Sequence, residues 1–216
     1  MLKNSILIFL IITNSIFVFG QTKTEINVPK FCDEYSKTVK NLELGKTDID
    51  YKKFRESFIQ SKQFKIATEQ KTELNNLKKK MYEKMSKSEF DSIIQITKKM
   101  LSIDYTNLTA QKILRQTYKI IGDTINAKKY KAIQFGLFKS IVKNGDGKSC
   151  ETGWSVIQIS EEYFVLEMLD AKVIKQSLDN ENGICDRMEV EINGEKKIYY
   201  FEISKVFKGR EKLKEK

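Results

Sequence analysis

Residues 188–200 read MEVEINGEKKIYY, two alternating runs on either side of Asn193-Gly194. Asn-Gly between alternating strands is the preferred sequence of a two-residue type I′ turn, because both residues tolerate the left-handed backbone that this turn requires. The predicted register sets Glu191 opposite Lys196 and Met188 opposite Tyr199, so an ion pair and an apolar pair both fall across the strands. Working back from this hairpin, strand-like runs recur at Lys172 to Leu178 and Trp154 to Ile159, with Asp179 to Gly183 as a turn. Between the two runs, Ser160-Glu161-Glu162 reads as a helix start with a cap and two acids in the first turn, where the helix dipole favours them. Phe164, Val165, Met168 and Leu169 are its expected buried face.

Upstream of Asn144 the apolar period changes from two to 3.6. Phe31 to Leu44 and Ile49 to Phe64 are expected helices on either side of Gly45, the second capped by Thr47 or Asp48. Leu74, Leu77, Met81 and Met85 make the core stripe of a third helix, whose opposite side carries Lys80, Lys84 and Lys87. A fourth starts at Ser88 as cap and buries Phe90, Ile93, Ile94, Thr97, Met100 and Leu101. A fifth buries Ala110, Ile113, Leu114, Thr117, Tyr118 and Ile121, and stops at Gly122. A sixth, after Asp123, presents Ala127, Tyr130, Gln134, Leu137, Phe138 and Ile141. Leu114, Tyr118, Gly122 and Ala127 fall at tetratricopeptide spacing, although Gln111 and Arg115 stand where that motif has tryptophan and a small residue. One and a half such units are fewer than the roughly three that a self-supporting solenoid needs, so other elements must close the stack.

The expected fold is therefore α+β: a tetratricopeptide-like helical stack and a small antiparallel sheet with one helix. The expected boundaries are 1–20 for a leader, 21–143 for the helices, 144–208 for the α+β part and 209–216 for a basic tail. The leader is read from Lys3, an uncharged apolar run from Ile6 to Phe19, and the ending Val18-Phe19-Gly20, with cleavage expected before Gln21. The run is short for a membrane span, which needs roughly 20 apolar residues. A periplasmic or secreted protein with no stable membrane span after cleavage is expected.

The chain has 39 Lys plus Arg against 29 Asp plus Glu, a formal net charge of +10. Such a surface favours solubility and, in an exported protein, an acidic protein or peptide partner in the envelope. Neither basic stretch, 71–87 or 205–216, interleaves aromatics as a nucleic-acid groove would, so no nucleic acid is expected. The chain has no histidine, which excludes Ser-His-Asp and Cys-His catalysis and imidazole zinc sites. No metal or cofactor is expected. Of its three cysteines, Cys150 and Cys185 both lie in the β part and are expected to bond, leaving Cys32 on the first helix.

Asn144-Gly145-Asp146-Gly147-Lys148-Ser149 invites a phosphate-loop or calcium-loop reading, and both fail. Val142 stands where the first requires glycine and the second its first ligand, and Gly153 where the calcium loop needs a bidentate Glu. Ser140-Ile141-Val142-Lys143 fits S-x-x-K without either companion motif. Glu189 and Glu191 lie on the outer face of a strand and read as solvated.

The run NGDGKSCETGWSVIQISEEYFVLEMLDAKVIKQSL (144–178), preceded by DIDYKKFRESFIQSKQF (48–64) and the Gly122-Asp123 turn, resembles the bacterial family catalogued as domain of unknown function 4919, from about Thr47 to Phe207. The family usually has Pro where Cys150 stands and Gly where Asp170 stands. The resemblance implies an exported protein with tetratricopeptide-like helices and an appended β unit, and carries no activity, cofactor or catalytic residue. Two functions are expected from these readings. The first is a non-catalytic exported module that binds a protein or peptide partner through the helices, including Lys80, Lys84 and Lys87. The second is an envelope enzyme or small-ligand binder with Asp146, Lys148 and Ser149 meeting Glu161, Glu162 and Tyr163. A deep pocket with converging carboxylates would favour the second, and a shallow, solvated loop the first.

Overall fold

The computed structural model describes residues 25–181 and 183–213 of the chain; the expected leader lies outside them. Helices α1 (Glu34–Glu43), α2 (Tyr51–Gln60), α3 (Lys62–Glu69), α4 (Lys71–Ser86), α5 (Phe90–Ile103), α6 (Leu108–Ile120) and α7 (Thr124–Val142) come first. Strand β1 (Trp154–Ser155), α8 (Ile159–Met168), β2 (Lys172–Asp179), β3 (Cys185–Ile192), β4 (Glu195–Glu202) and α9 (Ser204–Lys212) follow.

Helices α1, α2, α6 and α7 start where short polar side chains satisfy the free amides of the first turn. Asp33, Asp50, Asn107 and Asp123 accept from Ser36, Lys53, Ala110 and Asn126, respectively. The expected helix from Ile49 to Phe64 is two helices: Ser61 breaks it and caps α3, accepting from Phe64 N. Ser88 is not the cap of α5. It ends α4 with φ 55°, and Glu89 precedes α5 without a side-chain cap bond. Successive helices α4 to α7 each pack on the one before, and α2 lies against α7. At that last contact a Cβ on Gly136 would sit 2.2 Å from the Tyr51 ring, so only glycine permits the approach.

The sheet order is β1-β4-β3-β2. The hairpin register is the expected one, with Glu191 opposite Lys196 and Met188 opposite Tyr199, and Asn193 and Gly194 take φ of 53° and 80°. Two features differ from the expected antiparallel sheet with one helix. First, β1 pairs with β4 in parallel, Trp154 opposite Phe201, so the sheet is mixed. Only Trp154 and Ser155 pair, because α8 begins at Ile159, with Gln158 rather than Ser160 at the cap position. Second, α9 continues through Lys212, across residues assigned to the tail. Gly209 lies close to the Phe64 ring, and Lys205 pairs with Glu56 at 2.9 Å, which docks α9 on α2 and α3.

Cys150 and Cys185 form a disulfide with a Cα–Cα separation of 5.7 Å, and Cys32 is an exposed thiol. A continuous apolar core joins the two parts, from Tyr35, Phe58 and Leu114 in the helices through Trp154 and Phe164 to Met188 and Phe201 in the sheet. The boundary near residue 144 thus marks a change of chain pattern within one core.

Candidate functional site

The loop of the second expected function is shallow and self-satisfied. Asp146 accepts from Thr152 Oγ1 at 2.6 Å and from Lys148 N at 3.0 Å; these two bonds, in that order, hold its carboxyl below the usual range. The Lys148 and Asp146 side chains are 79% and 54% exposed, and Ser149 bonds Thr152. Trp154 Nε1 donates to Gly145 O and Tyr200 N to Gly147 O, which ties the loop to the sheet as a structural corner.

Glu161 and Glu162 do not face this loop; they are buried where the helices meet the sheet. Arg55, on α2, reaches Glu161 with two donors, Nε to Oε1 at 2.9 Å and Nη2 to Oε2 at 2.6 Å. The same guanidinium donates to Ser155 O and Ser140 Oγ, and Glu161 Oε2 also accepts from Ile157 N. This planar, bidentate pairing satisfies both ions inside the protein. Beside it no donor among the described residues reaches the Glu162 carboxyl, whose side-chain neighbour is Asp186, a carboxylate to which only the protonated acid can donate. Burial, reinforced by the neighbouring Asp186, pushes Glu162 up to about 9, so it is a neutral acid at pH 7. Asp186 accepts from Gln176 Nε2 at 2.7 Å, and Gln176 accepts from the Tyr163 hydroxyl at 2.8 Å. Of the six residues proposed together, the structure places three in the exposed loop, two in the buried junction, and Tyr163 at the surface edge of that junction.

A concave surface occurs instead on the helical side. A groove of about 420 Å³ lies between the segment at Glu25–Val28, the end of α1, α5, and the α6–α7 turn. Its wall is the stacked pair Tyr118 and Tyr130, with ring centroids 5.7 Å apart. At its base, Glu43 accepts from the hydroxyls of Tyr105 and Tyr130 and from Lys129 Nζ at 3.0 Å. Tyr118 is pushed up to about 12, first by burial and then by Asp123 and Glu43, so these phenols stay neutral donors. Desolvation in the groove also lowers Lys98 from its ordinary value, against the opposing pull of Glu43. At the groove's edge the apolar side chains Leu44 and Ile121 are 67% and 43% exposed; Leu44 also lines an adjoining shallow groove together with Ile125, which is 81% exposed.

Ile121 was expected in the core, and the groove residues were not anticipated at all. The available signal was apolar residues at helix ends, Leu44 before Gly45 and Ile120-Ile121 before Gly122, where a continuing helix would have buried them. Lys80 of α4 and Lys87 at its C-cap are exposed, and Lys84 is partly so. Lys84 pairs with Glu89 and Lys87 with Glu83, each at 2.8 Å, so this face is less positive than the run of lysines implies. Among the described residues no group of three or more His, Cys, Asp or Glu side chains is arranged to hold a metal ion, and no helix is long and apolar enough to cross a membrane.

A family model described as "Domain of unknown function (DUF4919)" matches residues 24–212. No curated protein and no solved structure matches the chain.

Proposed function

The chain belongs to the DUF4919 family, a description that carries no activity, and from the site itself we propose that it is an exported, non-catalytic interaction protein whose helical groove binds a protein or peptide segment of the cell envelope. The observation that carries this reading is the exposed apolar pair Leu44 and Ile121 beside a polar base built on Glu43, extended by Ile125 in the adjoining groove that Leu44 shares. Apolar side chains left in solvent around a concavity mark interaction surfaces. A partner's apolar side chain would sit on the rim, while the Tyr118–Tyr130 wall, Lys98 and Lys129 provide groups that fix its orientation. The tetratricopeptide-like spacing agrees with this use. Leu114 and Tyr118 are buried, Gly122 has φ 81° at the turn, and α6 and α7 fold back on each other, as in helical repeats that present a concave face.

The test is capture of a partner from envelope extract by the purified protein and its variants. Leu44→Asp and Ile125→Asp should each weaken capture roughly tenfold while barely changing the melting temperature, since both side chains are mostly solvated. Reversing Lys80, Lys84 and Lys87 to Glu should weaken capture less, through slower association with an acidic partner. Asp146→Ala and Ser149→Ala should leave capture unchanged. Loss at Asp146 or Ser149, with no effect at Leu44 and Ile125, would overturn the reading and move the site to the loop.

A further inference from the structure

Strand β2 is the last in the sheet order and, among the described residues, is bonded along one edge only, to β3. An open edge is a template for another strand. Much of the surface beside it remains in solvent: Ile174 is 48% exposed, Leu178 57%, and Tyr163 on α8 47%. The Tyr163 hydroxyl bonds Gln176 of β2, which holds its ring next to this edge. We infer that β2 pairs antiparallel with β2 of a second copy, about a two-fold axis at Ser177.

The charges select that occupant and that register. The pairing of β2 with β3 is irregular between Val173 and Lys175, then regular from Lys175 opposite Glu189 to Asp179 opposite Cys185. The bulge and its neighbouring lysines blunt the first half of the edge, as protective devices do. The regular half, KQSLD at 175–179, begins with a cation and ends with an anion on the same face of the sheet. Glu189, opposite Lys175, is held first by Arg187 at 2.5 Å and feels Lys175 only as a lesser charge; Asp179 accepts from Glu181 N, and the salt bridges of the described residues include neither Lys175 nor Asp179. Antiparallel pairing about Ser177 sets Lys175 of each copy opposite Asp179 of the other. It sets Ser177 opposite Ser177, and Gln176 opposite Leu178. Parallel in-register pairing would instead oppose like charges, which destabilises. A slip of one residue would send each side chain to the wrong face; a slip of two sets Lys175 opposite Ser177 in one direction and, in the other, opposite Glu181, which lies beyond the end of β2. On the other face, Leu178 of one copy would come to lie beside Gln176 and Tyr163 of the second, covering apolar surface that the monomer leaves in water.

Sedimentation equilibrium of the purified chain with Cys32→Ser, over a range of concentrations, tests the inference. A monomer–dimer equilibrium is expected. Lys175→Asp and Asp179→Lys should each raise the dissociation constant roughly tenfold, because symmetry replaces two attractions by two repulsions. The double variant should return it to near the starting value, a recovery that misfolding cannot imitate. Ser177→Cys, in the Cys32→Ser background, should form a disulfide-linked dimer on mild oxidation. A monomer at millimolar concentration, a dimer indifferent to the single reversals, or a double variant as weak as either single would each overturn the inference. The groove variants Leu44→Asp and Ile125→Asp should leave self-association unchanged, which separates this test from that of partner binding.

Discussion

Glu162 is the residue at which local sequence and tertiary environment disagree most. In Ser160-Glu161-Glu162 it reads as an acid favoured by the dipole at a helix start; in the fold it is fully buried, beside Asp186 and with no donor to its carboxyl among the described residues. Its ordinary value of 4.5 applies to the unfolded chain, and about 9 to the folded one. Below 4.5 both states hold the proton and the stability associated with it is fully present. As pH rises from there to about 9 the unfolded chain releases its proton while the folded chain keeps it, so stability falls across that window. Glu162→Gln is neutral throughout and should escape the fall. Thermal melts should show the stability of this variant relative to the parent rising between about pH 5 and pH 8. A pH-independent difference would place the carboxyl of Glu162 in water.

At the scale of elements, Arg55 holds the two parts together. From α2 it clamps the first turn of α8 and bonds Ser155 of β1 and Ser140 of α7. The Arg55 and Glu161 side chains are each 4% exposed. Replacing Arg55 by Met would leave Glu161 charged and buried without its partner, so equilibrium unfolding should show a loss of roughly 3–5 kcal/mol. A loss below about 1 kcal/mol, the scale of an exposed pair, would refute this placement. The disulfide is a second tie, since it joins the loop after α7 to the start of β3. It closes a loop with a sequence separation of 35, and Cys150→Ala/Cys185→Ala should lose about 3–4 kcal/mol on the chain-entropy account. Peptide mapping without reduction should recover Cys150 bonded to Cys185, with Cys32 as the thiol. The elements themselves differed in how well they could be read. The hairpin register was legible because its turn chemistry and cross-strand pairs agree locally. Asp170 takes φ 52° after α8, a left-handed position at which glycine would be unstrained. The break at Ser61 was hidden because the apolar period runs on through it, and α9 because Lys-rich residues 205–212 look like a solvated tail until Val206 and Gly209 meet the core and Phe64.

For the whole molecule, the proposed export predicts an intact mass that places the mature N-terminus at Gln21; a membrane-bound species retaining Met1 to Gly20 would refute the leader assignment. By itself the sequence determined the α+β class, the hairpin and its register, the helix stripes and the likeness to one family. It also determined the absence of imidazole chemistry. These depend on periodicity, turn chemistry and composition, all of which are local. Only the tertiary structure decided which acids are buried, that β1 joins the sheet in parallel, and that Leu44 and Ile121 border a groove. These follow from contacts between residues far apart in the chain, such as Arg55 with Glu161 and Glu43 with Tyr130. Burial changes the ionisation and the use of a side chain without changing the local pattern in which it stands.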